Sequence, residues 1–142
     1  MYILDTNVVS EIRKIRLGKA DKFVSEWADS LNTAELYLSV ITLQELEIGV
    51  LLAEYRDPTK GILLRSWLDN HLKPAFSGRI LPVDTAVAIR SAMLNVPDPR
   101  PVRDGLIAAT ALVHGMTVVT RNVSDFESCG VTLINPWNKG SK

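Results

Sequence analysis

Short apolar runs alternate along the chain with longer amphipathic stretches, and this alternation restricts the fold more than any other feature of the sequence. Apolar runs of this kind are typical of strands that are buried on both faces. Apolar residues at the i, i+3, i+4, i+7 spacing are typical of helices that cover a core. Strands that alternate with helices form a parallel sheet with helices on both faces. The sequence therefore predicts an α/β fold.

The same two spacings predict where the elements lie. The predicted strands are Tyr2–Leu4, Leu36–Ser39, Ile80–Val83, Thr117–Thr120 and Thr132–Ile134. One helix is predicted to begin near Asn7, and the others cover about Ala20–Leu31, Thr42–Tyr55, Ile62–Leu72, Thr85–Leu94 and Arg103–His114. Turns are predicted at Asp57-Pro58, at Ser77-Gly78 and in the proline-rich segment 97–101.

Length and composition favour one compact domain over residues 1–142. Hydrophobic residues make up 46% of the chain, and two separate domains would each have a marginal core. The single Cys129 cannot form an internal disulfide, and the first residues lack the basic region and apolar core of a signal peptide. No apolar run approaches the roughly 18 to 20 residues that a membrane span needs. We therefore expect a cytoplasmic protein with no membrane segment.

The charges are balanced, with 16 basic and 16 acidic residues, so the chain has no global positive field to attract nucleic acid. Any polyanion must be bound locally. One local candidate is the basic stretch, which we define as Arg13, Lys14, Arg16, Lys19 and Lys22. It is interpreted either as a substrate-binding edge or as a solvated helix face followed by a turn at Gly18.

Four acidic residues lie where parallel α/β folds build their ligand sites. Asp5 follows the first predicted strand, Glu45 the second and Asp125 the fourth, while Asp104 begins a helix. Ligands bind beyond the carboxyl ends of such strands. If the four carboxylates converge, their mutual repulsion requires a cation. Oxygen ligands with no Cys or His near them suit Mg²⁺ or Mn²⁺ better than zinc, and His71 and His114 are interpreted as ordinary histidines.

Each acid also has a purely structural interpretation. Asp5 could cap the helix that begins near Asn7, and Asp125 could stabilise a turn. Glu45 stands three residues after Thr42, which is the spacing of a capping box. Asp104 would be favoured in a first helical turn by the helix dipole. These separate explanations do not predict that all four acids converge at one edge of the sheet.

Four segments, taken in order, resemble the motifs of PIN-domain nucleases, and the resemblance covers nearly the whole chain. They are Asp5–Asn7, Ser39–Gly49, Asp104–Ala111 and Val119–Phe126. Within that family the chain resembles the VapC-type toxins, especially the FitB-like branch, whose ending is similar to residues 130–137. The third motif departs from the pattern, because Gly105 stands where a larger residue is more usual.

The resemblance implies a three-layer α/β/α sandwich with a central, mainly parallel sheet. It also implies a Mg²⁺- or Mn²⁺-dependent endoribonuclease that is the toxin of a type II toxin–antitoxin pair, with RNA as substrate, a cognate antitoxin as partner and a homodimer as the expected assembly. Asp5 and Asp104 are expected to bind the metal, and Glu45 and Asp125 to complete the site directly or through water. The acidic positions of the family are matched by Asp5, Glu45, Asp104 and Asp125, and the supporting polar positions by Thr6, Thr120 and Asn122.

Several alternatives stay open at this point. Glu11 and Glu47 lie close enough in sequence to replace Glu45 as a ligand. A Mg²⁺-dependent receiver-type signalling domain would also use an acidic cluster, but it would have paired acids after the first strand. A HAD-type phosphatase would have Asp at position 7, where this chain has Asn7. A catalytically inactive binding module with the PIN fold is the third alternative.

Overall fold

The computed structural model describes residues 1–138 and contains a five-stranded sheet with helices on both faces. Residues 139–142, the end of the predicted domain, lie outside the described residues. The strands are β1 (Tyr2–Leu4), β2 (Leu36–Ser39), β3 (Ile80–Leu81), β4 (Thr117–Val119) and β5 (Leu133–Ile134). The α-helices are α1 (Thr6–Arg13), α2 (Lys22–Asp29), α3 (Val40–Arg56), α4 (Pro58–Trp67), α5 (Lys73–Ala75), α6 (Thr85–Leu94) and α7 (Val102–His114).

Strand β1 lies at the centre of the sheet, whose order is β3-β2-β1-β4-β5. All of these pairs are parallel, and Ile3 is in register with Tyr37 of β2 and with Val118 of β4. The order of the strands therefore reverses between β1 and β4. In parallel α/β sheets, this reversal opens a crevice at the carboxyl ends of the strands, where ligands bind. The ends of β1, β2 and β4 all lie at this edge.

The core lies in two parts, one on each face of the sheet. Leu4 and Val119 belong to the part that also contains Val8 of α1, whereas Ile3 and Val118 belong to the part that contains Ile107 of α7. Neighbouring residues of a strand point to opposite faces, so each strand contributes to both parts. This arrangement confirms the predicted parallel sheet covered by helices on both faces.

The predicted strands and the sequence limits of most helices agree with the structure to within a few residues. The largest difference is at the helix predicted for Ile62–Leu72, which begins at Pro58. Asp57 caps it by accepting a hydrogen bond from the backbone N–H of Lys60 at 3.3 Å, and a proline is well tolerated in the first helical turn. Asp57-Pro58 is therefore a junction between helices α3 and α4. Beyond Trp67 the chain continues through a π-helical turn at Leu68–Leu72 into α5.

Helix α3 is held against α4 by a close backbone contact and by ion pairs. A Cβ atom on Gly61 would lie 2.5 Å from the Cα of Glu54, so this approach requires glycine. Arg65 of α4 forms ion pairs with Glu47 at 2.6 Å and with Glu54 at 3.1 Å. These contacts brace the helix that carries Glu45. Within residues 1–138, we find no helix with the length and apolar character needed to cross a membrane.

Candidate active site

Asp5 is the buried centre of the site, at the point where β1 passes into α1. Its backbone N–H donates to the carbonyl of Val119 at 2.9 Å, which extends the pairing of β1 with β4 by one residue. Only 1% of the side chain is exposed. One carboxylate oxygen, Oδ1, accepts a hydrogen bond from the Thr6 N–H, and the other, Oδ2, accepts one from the Thr120 hydroxyl, both at 2.8 Å. Asp5 therefore caps α1 and also faces the crevice.

Glu45 lies on α3, which begins directly after β2. The capping-box interpretation of Glu45 with Thr42 is wrong, because α3 starts at Val40 and the N-cap is Ser39, whose hydroxyl accepts from the Ile41 N–H at 3.0 Å. Thr42 is buried inside the helix. The Glu45 carboxylate instead reaches α1, where Oε1 accepts a hydrogen bond from the Thr6 hydroxyl at 2.5 Å. Thr6 thus links the acids of two motifs.

Asp104 lies in the first turn of α7, as the sequence predicts, and 13% of its side chain is exposed. Burial raises the pKa of its carboxyl group, and the negative charges of Asp125 and Asp5 act in the same direction. The hydrogen bond and positive charge of Arg103 lower this pKa but do not outweigh the burial. The ionised form of Asp104 is therefore less favoured in the folded protein than in water.

Arg103 joins three of the acids, and sequence reasoning missed it. Its Nε donates to Glu45 at 2.5 Å, its Nη1 donates to Asp104 at 2.6 Å, and its Nη2 donates to Asp5. Burial alone would lower the pKa of this guanidinium, but the hydrogen bond to Glu45 and the charge of Asp5 raise it above its ordinary value. The one feature of the sequence that points to this role is the position of Arg103 directly before Asp104, the acid of the third motif.

Asp125 stands at the edge of this group. It lies in a 3₁₀ turn at Val123–Asp125, which supports the turn interpretation, and its side chain is exposed. Among residues 1–138, no side chain forms a hydrogen bond or ion pair with its carboxylate. Its negative charge adds to the effect of burial in raising the pKa of Asp104. The turn is tied to the site because the backbone N–H of Asn122 donates to the Thr120 hydroxyl at 3.0 Å.

The two alternative acids lie outside the group around Arg103. Glu47 pairs with Arg65 and with Lys73, and the hydrogen bond from Arg65 holds the pKa of its carboxyl group below the ordinary value. Glu11 accepts from Lys14 at 3.2 Å and from the backbone N–H of Asp21 at 2.7 Å. Both carboxylates have structural partners, so Glu45 remains the acid of the second motif that faces the crevice.

The basic stretch does not form one continuous surface. Lys14 pairs with Glu11, the guanidinium of Arg13 lies 5.8 Å from the centre of the Trp67 ring, and Arg16 lies beside His71. Arg13 nevertheless lines a cleft of about 320 Å³ together with Thr6 and Glu45. Arg16, Lys19 and Lys22 are exposed, and Gly18 has the positive φ of +69° expected for a turn.

The carboxylates converge on a guanidinium rather than on a preformed metal site. Among residues 1–138, no three side chains of Asp, Glu, His or Cys are placed so as to hold a metal ion. The reason is that the planar guanidinium of Arg103 occupies the space between Asp5, Glu45 and Asp104. The donor set itself consists of carboxylate and hydroxyl oxygens, which are the ligands preferred by Mg²⁺.

The fold and this group of residues agree with a known family. The family model described as PIN domain matches residues 2–128. The chain belongs to the PIN-domain family. Membership confirms both the resemblance in the sequence motifs and the predicted three-layer α/β/α sandwich, and the strands of the sheet are parallel throughout residues 1–138.

Among members of the PIN-domain family, the chain is similar to proteins named as toxins and ribonucleases. It is 38% identical to the VapC ribonuclease Y4jK of Sinorhizobium fredii, over 96% of this chain and 98% of the relative. It is 40% identical to Toxin FitB of Neisseria gonorrhoeae, over 97% of this chain and 99% of the relative. These similarities confirm the resemblance to VapC-type toxins of the FitB-like branch.

Solved structures show the same likeness. The crystal structure of FitAcB from Neisseria gonorrhoeae superposes with a TM-score of 0.88 at 38% identity, covering 97% of this chain and 99% of that one. The structure of FitAB bound to a DNA fragment, IR36, gives a TM-score of 0.87 at 37% identity, covering 97% of this chain and 96% of that one. The similarity therefore extends over the whole PIN domain.

The raised pKa of Asp104 predicts that Asp104→Asn stabilises the metal-free protein. Because the folded state raises this pKa above its unfolded value, ionised Asp104 lowers the free energy of unfolding at neutral pH. In EDTA at pH 7.5, thermal denaturation of Asp104→Asn should therefore occur a few degrees above that of the wild type. The difference should shrink as the pH falls through the raised pKa of Asp104, because the wild-type carboxyl group then becomes protonated.

The matched control is Asp69→Asn, because the pKa of Asp69 is shifted in the opposite direction to that of Asp104. The hydrogen bond from Lys73 holds the pKa of Asp69 below its ordinary value, so neutralising it should not stabilise the protein. A lower unfolding temperature for Asp104→Asn than for the wild type at pH 7.5 would contradict the account. It would show that the ion pair of Asp104 with Arg103 outweighs the burial of the carboxylate.

Proposed function

We propose that this chain is a divalent-metal-dependent endoribonuclease that hydrolyses phosphodiester bonds of RNA and serves as the toxin of a type II toxin–antitoxin pair. One observation supports this most strongly. Three carboxylates from three separate elements of a PIN domain meet around a single positive charge, at the crevice where the sheet reverses its strand order. Such a group is costly to assemble unless it binds cations.

The residues present fit a hard divalent ion. Asp5, Glu45 and Asp104 already direct an oxygen each toward one cation, the guanidinium of Arg103. Asp5 and Asp104 would hold Mg²⁺ or Mn²⁺, and Glu45 and Asp125 would complete the site directly or through water. Magnesium usually keeps several of its water ligands and binds through one or two carboxylates, which suits this small set.

The bound ion would supply the charge that phosphodiester hydrolysis needs, by lowering the pKa of water, neutralising phosphate oxygens and stabilising the leaving oxygen. The protein itself orients the carboxylates through hydrogen bonds. Thr120 fixes one oxygen of Asp5, so the other is directed into the crevice. Thr6 holds Glu45 in the same way. Asn122 supports the turn that carries Asp125 by its backbone bond to Thr120.

RNA would enter beside Glu45. The cleft is lined by Glu45, by Thr6 at the start of α1 and by Arg13 at its end. We propose that Arg13, with Lys14 and Arg16, binds phosphates that flank the one being cut. A helix of eight residues is about 12 Å long, which is short enough for its two ends to contact neighbouring phosphates.

The proposed partners follow from the relatives. The solved relatives are complexes whose names combine FitB with FitA, and we propose that this chain likewise binds an antitoxin that holds it inactive. We also propose a homodimer in the cytoplasm. Exposed apolar side chains on α6 and after it, Ile89, Met93 and Val96, support self-association. Light scattering on the purified protein tests the dimer, and a monomer at micromolar concentration would contradict it.

The nuclease proposal predicts RNA cleavage that depends on both metal and Asp5. Purified protein should cleave single-stranded RNA with Mg²⁺ or Mn²⁺ and not with EDTA, and Asp5→Asn should lose at least about a hundredfold in rate, because a metal ligand is lost. Overproduction of the wild type alone should arrest bacterial growth, and overproduction of Asp5→Asn should not.

The control for this experiment is Glu47→Gln, which neutralises a carboxylate on the same helix as Glu45 but outside the crevice. It should cleave RNA as the wild type does, because Arg65 keeps its ion pair with Glu54 and still holds α4 against α3. Cleavage by Asp5→Asn at the wild-type rate would contradict the assignment of the site. An inactive wild type that still binds RNA would favour a catalytically inactive PIN module.

The RNA-binding proposal predicts a weaker salt dependence when Arg13 and Lys14 are neutralised together. On single-stranded RNA, the logarithm of the binding constant falls with the logarithm of salt by about 0.7 for each phosphate contact. The Arg13→Gln/Lys14→Gln double variant should flatten this slope by roughly one and leave Mn²⁺ affinity unchanged. An unchanged slope would show that these side chains do not contact RNA.

A further inference from the structure

Every oxygen of two acids in the site is already engaged. Asp5 accepts hydrogen bonds from Arg103 and from the Thr6 N–H at Oδ1, and from the Thr120 hydroxyl at Oδ2. Glu45 accepts from Arg103 at Oε2 and from the Thr6 hydroxyl at Oε1. The threonine contacts hold the far oxygens, so the oxygens that face the crevice are those that Arg103 occupies. A metal ion that enters from the crevice therefore meets Arg103 at the oxygens that it would bind.

Metal and guanidinium compete for these oxygens. Both are cations, and at the separation set by a common carboxylate they repel each other strongly in a partly buried site. The positive charge of Arg103 does not disappear on metal binding, because an arginine stays protonated and its surrounding acids raise its pKa further. The repulsion is relieved when the Arg103 side chain moves away from the acids.

The structure leaves Arg103 room for that movement. Its side chain is 33% exposed, whereas that of Asp5 is 1% exposed, so the arginine lies between the acids and solvent. Its polar contacts within residues 1–138 are with the three acids and with the Thr6 hydroxyl at 3.4 Å. In contrast, Arg100 in the preceding loop is bound to backbone carbonyls of Leu94 and Ser128.

We propose that Arg103 is an internal counter-ion that competes with the divalent metal for the carboxylates of Asp5, Glu45 and Asp104. The inference rests on the proposed metal-dependent activity and adds a residue that sets how tightly the free protein binds its metal. In the metal-free protein, Arg103 neutralises the acids and preserves their arrangement. Metal binds only to the fraction of molecules in which the arginine has moved away, so its apparent affinity is reduced by that fraction.

The experiment is calorimetric titration of Mn²⁺ into the wild type and into Arg103→Gln. The variant should bind Mn²⁺ about tenfold or more tightly, because its carboxylates are free in every molecule. Arg103→Lys should lie between the two, since one ammonium group keeps the charge but cannot span three carboxylates. Wild-type affinity in Arg103→Gln would overturn the proposal.

Arg121→Gln is the matched control for loss of a positive charge. Arg121 directly follows Thr120, but its guanidinium lies 5.1 Å from the centre of the Trp137 ring and forms no ion pair with the acids in the described part of the chain. Its loss should change Mn²⁺ affinity by no more than about twofold to threefold, the effect of a distant screened charge. If Mn²⁺ affinity rose equally in Arg121→Gln and Arg103→Gln, the change in net charge alone would explain the effect, and the proposal would be overturned.

Thermal denaturation is a second test of the competition, and it does not depend on enzymatic activity. In EDTA, Arg103→Gln should unfold at a lower temperature than the wild type, and saturating Mn²⁺ should raise its unfolding temperature by more than it raises that of the wild type. If Arg103→Gln does not fold, Arg103→Lys takes its place in both measurements. A wild type that binds Mn²⁺ through Asp5, with no gain in either Arg103 variant, overturns the competition alone. Absence of Mn²⁺ binding in all the proteins overturns the metal-dependent activity as well.

Discussion

The pairing of β1 between β2 and β4 is the constraint on which the site depends. It places the carboxyl ends of three parallel strands side by side, and the hydrogen bond from Asp5 N–H to Val119 extends that pairing to the residue that carries the central carboxylate. A slip of one residue in the register of β1 would exchange the faces of Ile3 and Leu4, which belong to different halves of the core. The hydrophobic packing of β1 therefore also determines the direction of Asp5.

The sheet brings the acids together, and their repulsion then has to be offset. Two unit charges about 4 Å apart repel by about 4 kcal/mol at an effective dielectric constant of 20, which is a large part of the stability of a small domain. Arg103 supplies the compensating charge within the same chain. Thr6 and Thr120 donate to the second oxygens of Glu45 and Asp5, so both oxygens of each of these two acids are hydrogen-bonded.

The sequence predicted the sheet well because its strands are short and buried on both faces, so that their apolar runs stand out against the helical spacing around them. It also predicted which acids follow the strands, since topology brings the ends of β1, β2 and β4 to one edge. Asp5 was singled out in this way, whereas Asp104 was singled out as an acid at the start of a helix. For Asp5, the capping and functional interpretations proved compatible, because the N-cap of α1 is itself at the crevice.

Other features depend on tertiary geometry that spacing does not carry. The apparent capping box of Thr42 and Glu45 failed because β2 passes into α3 without a loop, so the helix begins earlier than its apolar pattern indicates. Arg103 was missed because a basic residue at a helix start has many ordinary roles, and only the fold shows that three acids face it. The basic stretch was interpreted either as a substrate-binding edge or as a solvated face, whereas in the structure Lys14 pairs with Glu11 and Arg13 lies beside the Trp67 ring.

The central claim is that the acids around Arg103 are a metal site, and the position of a bound ion tests it most directly. Crystals grown with Mn²⁺ and measured at the manganese absorption edge should show an anomalous peak within bonding distance of Asp5 and Asp104, with the guanidinium of Arg103 moved away from Asp5. A protein saturated with Mn²⁺ whose anomalous peaks all lie elsewhere, with Arg103 still bridging the three carboxylates, would contradict the account.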